Sequence, residues 1–208
     1  EAAEKIKSSK NPIIISGGGV FYSNAMEELS KFAIKHNIPV TQTVMGYSTM
    51  KRDHSHYAGQ IGALGGKNTN SLAKQTDLAI AVGTKLADFT TGSWTNFENE
   101  NFKLVSINVS RFDANKHLAQ AVVGDARASL NELSAALGDW KAPDGWNKKS
   151  QIELKAWNEH VDKESAPTNQ EVPSYVQVVG AVYRNSDPSD IAVTAAGGLV
   201  GEVIQVWR

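Results

Sequence analysis

Residues 78–82, Leu-Ala-Ile-Ala-Val, form an unbroken apolar run of five, entered from the polar pair Thr76 and Asp77 and closed by Gly83 and Thr84. A run this short, bounded by turn residues, predicts a strand rather than a helix. A strand apolar on both faces belongs in the middle of a parallel sheet, and the rest of the chain must then supply helices for both sides. In an open α/β sheet, ligands and partner domains bind outside the carboxyl ends of the strands, so residues 85–94, KLADFTTGSW, are a candidate functional surface. The same loop could equally do no more than pack against another subunit, because position in a fold does not by itself make a site.

The strand–turn–helix unit recurs along the chain. Residues 1–10 predict a short exposed helix. Asn11 and Pro12 then lead into Ile13, Ile14 and Ile15, followed by Gly17, Gly18 and Gly19. A helix is predicted over residues 24–36, with Asn24 as N-cap, Glu27 at the capping-box position, and Met26, Leu29, Phe32 and Ala33 on the buried face. Ile38, Pro39 and Val40 open a second strand. Residues 44–66 carry five glycines and little periodicity, which predicts a long loop with one short helical piece, of a length that is usually functional or covered by a partner. A short helix over 68–75, strands over 103–108 and 121–123, and a helix over 126–137 with Leu130, Leu133 and Leu137 on one face complete the pattern. Five strands alternating with helices predict an α/β fold with a doubly wound, Rossmann-like parallel sheet over residues 1–138.

Residues 139–172 are expected to be a linker containing a polar helix over about 150–164. After Pro173 the cycle restarts: a helix bearing Tyr175, Val178, Val179 and Val182, a strand over IAVT (191–194), a turn at AAGG (195–198), and a helix to the end. Residues 173–208 therefore read as the truncated start of a second α/β domain. The chain opens without Met in a helical pattern and stops inside an amphipathic run, so a piece of a longer protein is expected, its tail loosely ordered or borrowed by a neighbouring copy.

Composition removes several classes of function. With 21 Lys and Arg against 22 Asp and Glu, the chain has no electrostatic bias toward nucleic acid or an anionic membrane. It has no cysteine, which excludes thiolate nucleophiles and metal–thiolate sites and fits a reducing cytoplasm. No apolar run approaches the roughly 20 residues that span a bilayer.

Three constellations invite chemistry. Gly17, Gly18 and Gly19, after a strand and before a helix, could cradle a pyrophosphate, yet Tyr22 stands where a dinucleotide fingerprint has its third glycine and the second strand ends without an acid for a ribose. A steric role at the turn is the competing reading. Asp53, His54 and His56 could begin a metal site, but a zinc site needs at least one more ligand that the sequence does not specify, and loop-anchoring hydrogen bonds are the default reading. His36 falls at a helix C-terminus, where a cation suits the dipole. No G-x-S-x-G nucleophile elbow occurs. Gly197, Gly198 and Leu199, before the last helix, form a second backbone-amide cradle.

Taken together, PIIISGGGV, HNIPVTQTVMGYSTMKRDHSHYAGQIGALGG, DLAIAVGTKLADFTTGSW, KLVSINVSRFDANKH and VVGDARASLNEL resemble the central domain of thiamin-diphosphate-dependent enzymes of the acetolactate synthase and pyruvate oxidase type. The segment YVQVVGAVYRNSDPSDIAVTAAGGLVGEVIQVW resembles the start of their C-terminal, diphosphate-binding domain. FTTGSW, SINVSRFDANKH and AAGGLVGE are most similar to the acylhydrolase branch that opens a cyclic 1,2-dione in myo-inositol breakdown. The resemblance implies a hydrolase using thiamin diphosphate and Mg²⁺, acting on a small molecule as a homo-oligomer in the cytoplasm. It places Ala196, Gly197, Gly198 and Leu199 near the diphosphate. The family's activating glutamate and its Gly-Asp-Gly metal motif are missing, and Gly124-Asp125-Ala126 is only an echo of the latter, so no catalytic or metal residue is assigned and the chain alone is expected to be inactive. The branch is not expected to need FAD or ADP, and Asn108 stands where many relatives carry Asp. A carboligase or decarboxylase of 2-oxo acids, and a non-catalytic nucleotide-binding scaffold, remain as alternatives.

Overall fold

A computed structural model describes residues 1–208. Helix α1 (Ala2–Lys7) leads into strand β1 (Pro12–Ser16), then α2 (Gly18–Tyr22), α3 (Met26–His36) and β2 (Val40–Gln42). A 3₁₀ turn at Val44–Gly46 precedes β3 (Tyr57–Gln60), α4 (Lys67–Gln75), β4 (Leu78–Val82), α5 (Asp88–Thr91), β5 (Lys103–Asn108), α6 (Arg111–Ala114) and β6 (Gln120–Val123). Four helices follow: α7 (Ala126–Leu137), α8 (Asp144–Glu164), α9 (Tyr175–Arg184) and α10 (Leu199–Val206).

The six strands form one wholly parallel sheet in the order β3-β2-β1-β4-β5-β6, the doubly wound arrangement the alternation predicts. Successive side chains of a strand face opposite sides. Ile14, Ile80, Val82, Val105 and Ile107 accordingly pack under α3 and α7 with Leu29, Phe32, Leu130 and Leu133. Ile13, Ile15, Ala79 and Ala81 face the other side with Leu72 of α4 and Trp146 of α8. Asp77 ties β1 to β4 at the amino edge: its carboxylate accepts from the backbone N–H of Lys10 (2.8 Å) and Asn11 (3.0 Å) and from the Ser9 hydroxyl.

Four expectations are corrected. The region 44–66 contains β3, making six strands rather than five. Tyr-Ala-Gly-Gln has no apolar run, and tertiary contacts hold it instead, with Gln151 of α8 donating to the Tyr57 carbonyl (2.9 Å) and Thr69 of α4 to that of Ala58 (2.9 Å). Asn24 does not cap α3. It takes a left-handed conformation (φ 48°), which a short polar side chain tolerates, and ends α2, while Ala25 precedes α3 without a side-chain cap. The polar helix begins at Asp144, six residues before 150, because Trp146 is buried and its Nε1 donates to the Pro12 carbonyl (2.8 Å). The stretch IAVT forms no strand. Ile191 and Val193 are 87% and 91% exposed, and no neighbouring strand offers them a ladder.

His36 also differs from its expected role as a helix-end cation. It is fully buried, burial pushes its pKa down, and the neutral ring sits between the Trp140 carbonyl (Nδ1, 2.7 Å) and the Ser134 hydroxyl (Nε2, 3.0 Å). Beyond the sheet, α9 and α10 pack on each other and on the carboxyl half of α8, where Val161, Val179 and Val206 make a small third core. No helix is long and apolar enough to cross a membrane.

Candidate functional site

The order of the strands reverses between β1 and β4, and a doubly wound sheet binds ligands at that point, outside the carboxyl ends. Here the crevice is filled by the chain's own backbone. Gly17 N–H donates to the Val82 carbonyl (2.9 Å) and Gly19 N–H to that of Gly83 (2.9 Å). A Cβ on Gly17 would lie 2.4 Å from the Gly83 oxygen, and one on Gly19 2.6 Å from the Gly83 Cα. Met45 and Gly46 close the arrangement from the side, a Cβ on Gly46 falling 2.1 Å from the Ser16 oxygen. Gly17, Gly19 and Gly46 are thus required for backbone-to-backbone contact, and the amides of Gly17 and Gly19 are already committed, which supports the steric reading over the dinucleotide one.

Residues 85–94 are fixed in the same manner. Ala63 N–H donates to the Phe89 carbonyl (2.7 Å), and Gly62 fits beneath it with a positive φ of 103°. The Trp94 ring lies 4.2 Å, centroid to centroid, from that of His117. Asp53, His54 and His56 do not assemble into a metal centre. His54 Nε2 bonds with Ser30 Oγ (2.9 Å), its Nδ1 accepts from His56 N–H (3.1 Å), and the His56 ring lies between Ser55 Oγ (3.0 Å) and Asn37 Oδ1 (3.2 Å). Burial, with the neighbouring His54, pushes the His56 pKa down to about 4. Both rings are loop anchors. No group of three or more His, Asp or Glu side chains in the chain could hold a metal ion.

The second glycine turn is different. Ala196, Gly197, Gly198 and Leu199 lead into α10, whose amino end has no side-chain cap. Helix amino ends leave backbone N–H groups without intrahelical acceptors. Gly197 has φ 144° and open space where a Cβ would project; Gly198 lies against the Tyr175 ring. Both border a cavity of about 440 Å³ between the 63–65 loop, α8, α9 and α10. Trp157, His160 and Glu164 of α8 and Glu202 of α10 line it, with the Trp157 and His160 rings 5.3 Å apart. The turn offers amides without intrahelical acceptors and open space beside them, which suits an anion, while Glu164 and Glu202 put two carboxylates on the cavity wall. The α8 residues were missed from the sequence. Their spacing 157, 160, 161, 164 marks one helical face and is the signal that could have found them.

The thiamine pyrophosphate enzyme central-domain family matches residues 1–133. Over its whole length the chain is 35% identical to a 3D-(3,5/4)-trihydroxycyclohexane-1,2-dione hydrolase of Geobacillus thermodenitrificans, 33% to one of Clostridium perfringens and 34% to one of Bacillus licheniformis. It spans 35% of the first of these relatives and 36% of the other two. A match over residues 1–133, coinciding with the six-stranded sheet and its flanking helices, shows that the chain belongs to the thiamine pyrophosphate enzyme central-domain family.

Proposed function

We propose that the parent protein is a thiamin-diphosphate- and Mg²⁺-dependent hydrolase that opens the ring of 3D-(3,5/4)-trihydroxycyclohexane-1,2-dione to 5-deoxy-glucuronate in myo-inositol catabolism. In this reading residues 1–138 are its central domain, 139–172 the connection, and 173–208 the opening of its cofactor-binding domain. The observation that carries it is the match of the whole chain, tail included, to relatives bearing that name.

When bound, thiamin diphosphate supplies the electron sink for breaking a C–C bond beside a carbonyl. This chain's contribution is to binding. Ala196, Gly197, Gly198 and Leu199 would hold the diphosphate through their backbone amides; Gly197 leaves open space at the turn, and Trp157 and His160 line the cavity it borders. The metal ligands, the activating glutamate and the other half of the cradle come from elsewhere in the assembly, a cytoplasmic homo-oligomer. The self-filled crevice at β1 and β4 supports a central domain that acts as a scaffold rather than a nucleotide holder.

Assay of the whole enzyme with the inositol-derived dione and with pyruvate tests this. Ring opening of the dione dependent on thiamin diphosphate and Mg²⁺, with no product from pyruvate, is expected. Carboligation or decarboxylation of pyruvate in place of ring opening would assign the chain to the 2-oxo-acid enzymes instead. The 208-residue chain by itself is expected to turn over neither.

A further inference from the structure

Helix α10 carries the glycine turn at its amino end, and its carboxyl end is held by side chains from the loop between β2 and β3. Arg52 Nη2 donates to the Ile204 carbonyl (2.6 Å) and to Tyr47 Oη (3.0 Å), with its guanidinium 5.2 Å from the centre of the Tyr47 ring. Tyr47 Oη donates in turn to the Trp207 carbonyl (3.4 Å). One residue along, Gln205 Nε2 donates to the Leu64 carbonyl (2.9 Å), and its Oε1 accepts from Trp157 Nε1 (2.8 Å). Carbonyls in the last turn of a helix have no intrahelical partner, and a cation there also meets the negative end of the helix dipole. The 63–65 loop and Trp157, which this clasp engages, are themselves walls of the cavity that Gly197 and Gly198 border.

A helix of eight residues is about 12 Å long and has little freedom to bend, so a displacement at one end is carried to the other. The Arg208 guanidinium is held by Asp162, while Arg52 keeps its place through the Ile204 carbonyl and the Tyr47 hydroxyl. From these contacts we infer that Arg52 is a positioning residue: through α10 it sets where the amides of the Gly197–Gly198 turn stand relative to the cavity wall. The identity of the ligand presented to that turn rests on the cofactor reading above; the clasp itself does not.

Hydrogen exchange of the 208-residue chain, followed by mass spectrometry, tests the clasp without any cofactor. Loss of a charged hydrogen bond should speed exchange of the amides of residues 200–206 by about tenfold in Arg52→Ala, with β1 and β4 unchanged. Arg52→Lys, which keeps the charge and a donor, should recover part of the protection, and Lys51→Ala, on the exposed neighbour, should change nothing. Unchanged protection in Arg52→Ala, or acceleration spread equally through the sheet, would overturn the inference. In the whole enzyme, Arg52→Ala should raise the apparent KM for thiamin diphosphate by about tenfold while kcat at saturating cofactor stays near that of the parent. Faster exchange at α10 with an unchanged cofactor KM would uphold the clasp and remove the cofactor from this turn.

Discussion

The side-chain amide of Asn108, at the end of β5, donates to the Thr84 carbonyl just beyond β4 at 3.1 Å, while its oxygen accepts from Ser110 N–H at 2.9 Å. One residue thus fastens the two loops that leave the centre of the sheet, and it needs a donor on one side and an acceptor on the other. An aspartate has no donor at neutral pH and would set a carboxylate against a carbonyl in a position only 9% exposed. Asn108→Asp is therefore expected to destabilise the chain by about 2 kcal/mol, read as a lower denaturant midpoint with an unchanged slope. An unchanged midpoint would show that the amide orientation is not what holds these loops.

Trp146 begins the helix that covers one face of the sheet, and its indole N–H answers the Pro12 carbonyl at the start of β1. Two effects separate by substitution. Trp146→Phe retains most of the packing and leaves the carbonyl unpartnered, at a cost of about 1–2 kcal/mol, whereas Trp146→Ala also opens a cavity and should cost about 3–5 kcal/mol. Equal losses in the two variants would mean that packing contributes nothing beyond the hydrogen bond, contrary to the burial of this ring.

How much of this was legible in the sequence follows from what sets each element. The strands at 12–16, 78–82 and 103–108 announce themselves because both of their faces are buried. Strand β3 does not, since its backbone is satisfied by Gln151 and Thr69, which lie far from it in sequence or on another element. The start of α8 was hidden for the same reason: Gly145 and Pro143 read as turn residues, and only the tertiary position of Trp146 makes the segment helical. At the candidate site the glycines were visible as a turn, but His160 and Glu164 become neighbours of that turn only when α8 folds back over the sheet edge. IAVT is the converse case, a strand pattern that local sequence favours and that remains unpaired here.

Burial lowers the pKa of His36, His54 and His56, the last to about 4 against an ordinary value of 6.5. All three are more easily protonated in the unfolded chain than in the folded one. Between pH 6.5 and 4 the unfolded state therefore binds more protons, and stability is lost as pH falls through that window. The thermal midpoint should be level above pH 7 and drop progressively below pH 6.5, and His56→Gln, which can still bond to Asn37 or Ser55, should flatten part of the decline. A midpoint that holds from pH 7 to 4.5 would show that these rings are free to charge in the folded protein.

The glycine turn after β1 gives the test that separates packing from phosphate binding. A methyl group on Gly17 would sit 2.4 Å from a backbone oxygen of Gly83 and 2.6 Å from the Thr84 Cβ, neither of which is a flexible chain end. Gly17→Ala is thus expected to force β1 and β4 apart and cost about 3 kcal/mol or more, by the mechanism that makes overpacked cores unstable. Because the amides of Gly17 and Gly19 are already bonded to the end of β4, saturating ADP or NAD should leave the thermal midpoint of the parent chain where it was. A rise in that midpoint with nucleotide, together with a tolerated Gly17→Ala, would mean that the crevice opens to admit a pyrophosphate and that the glycines are kept for a ligand after all.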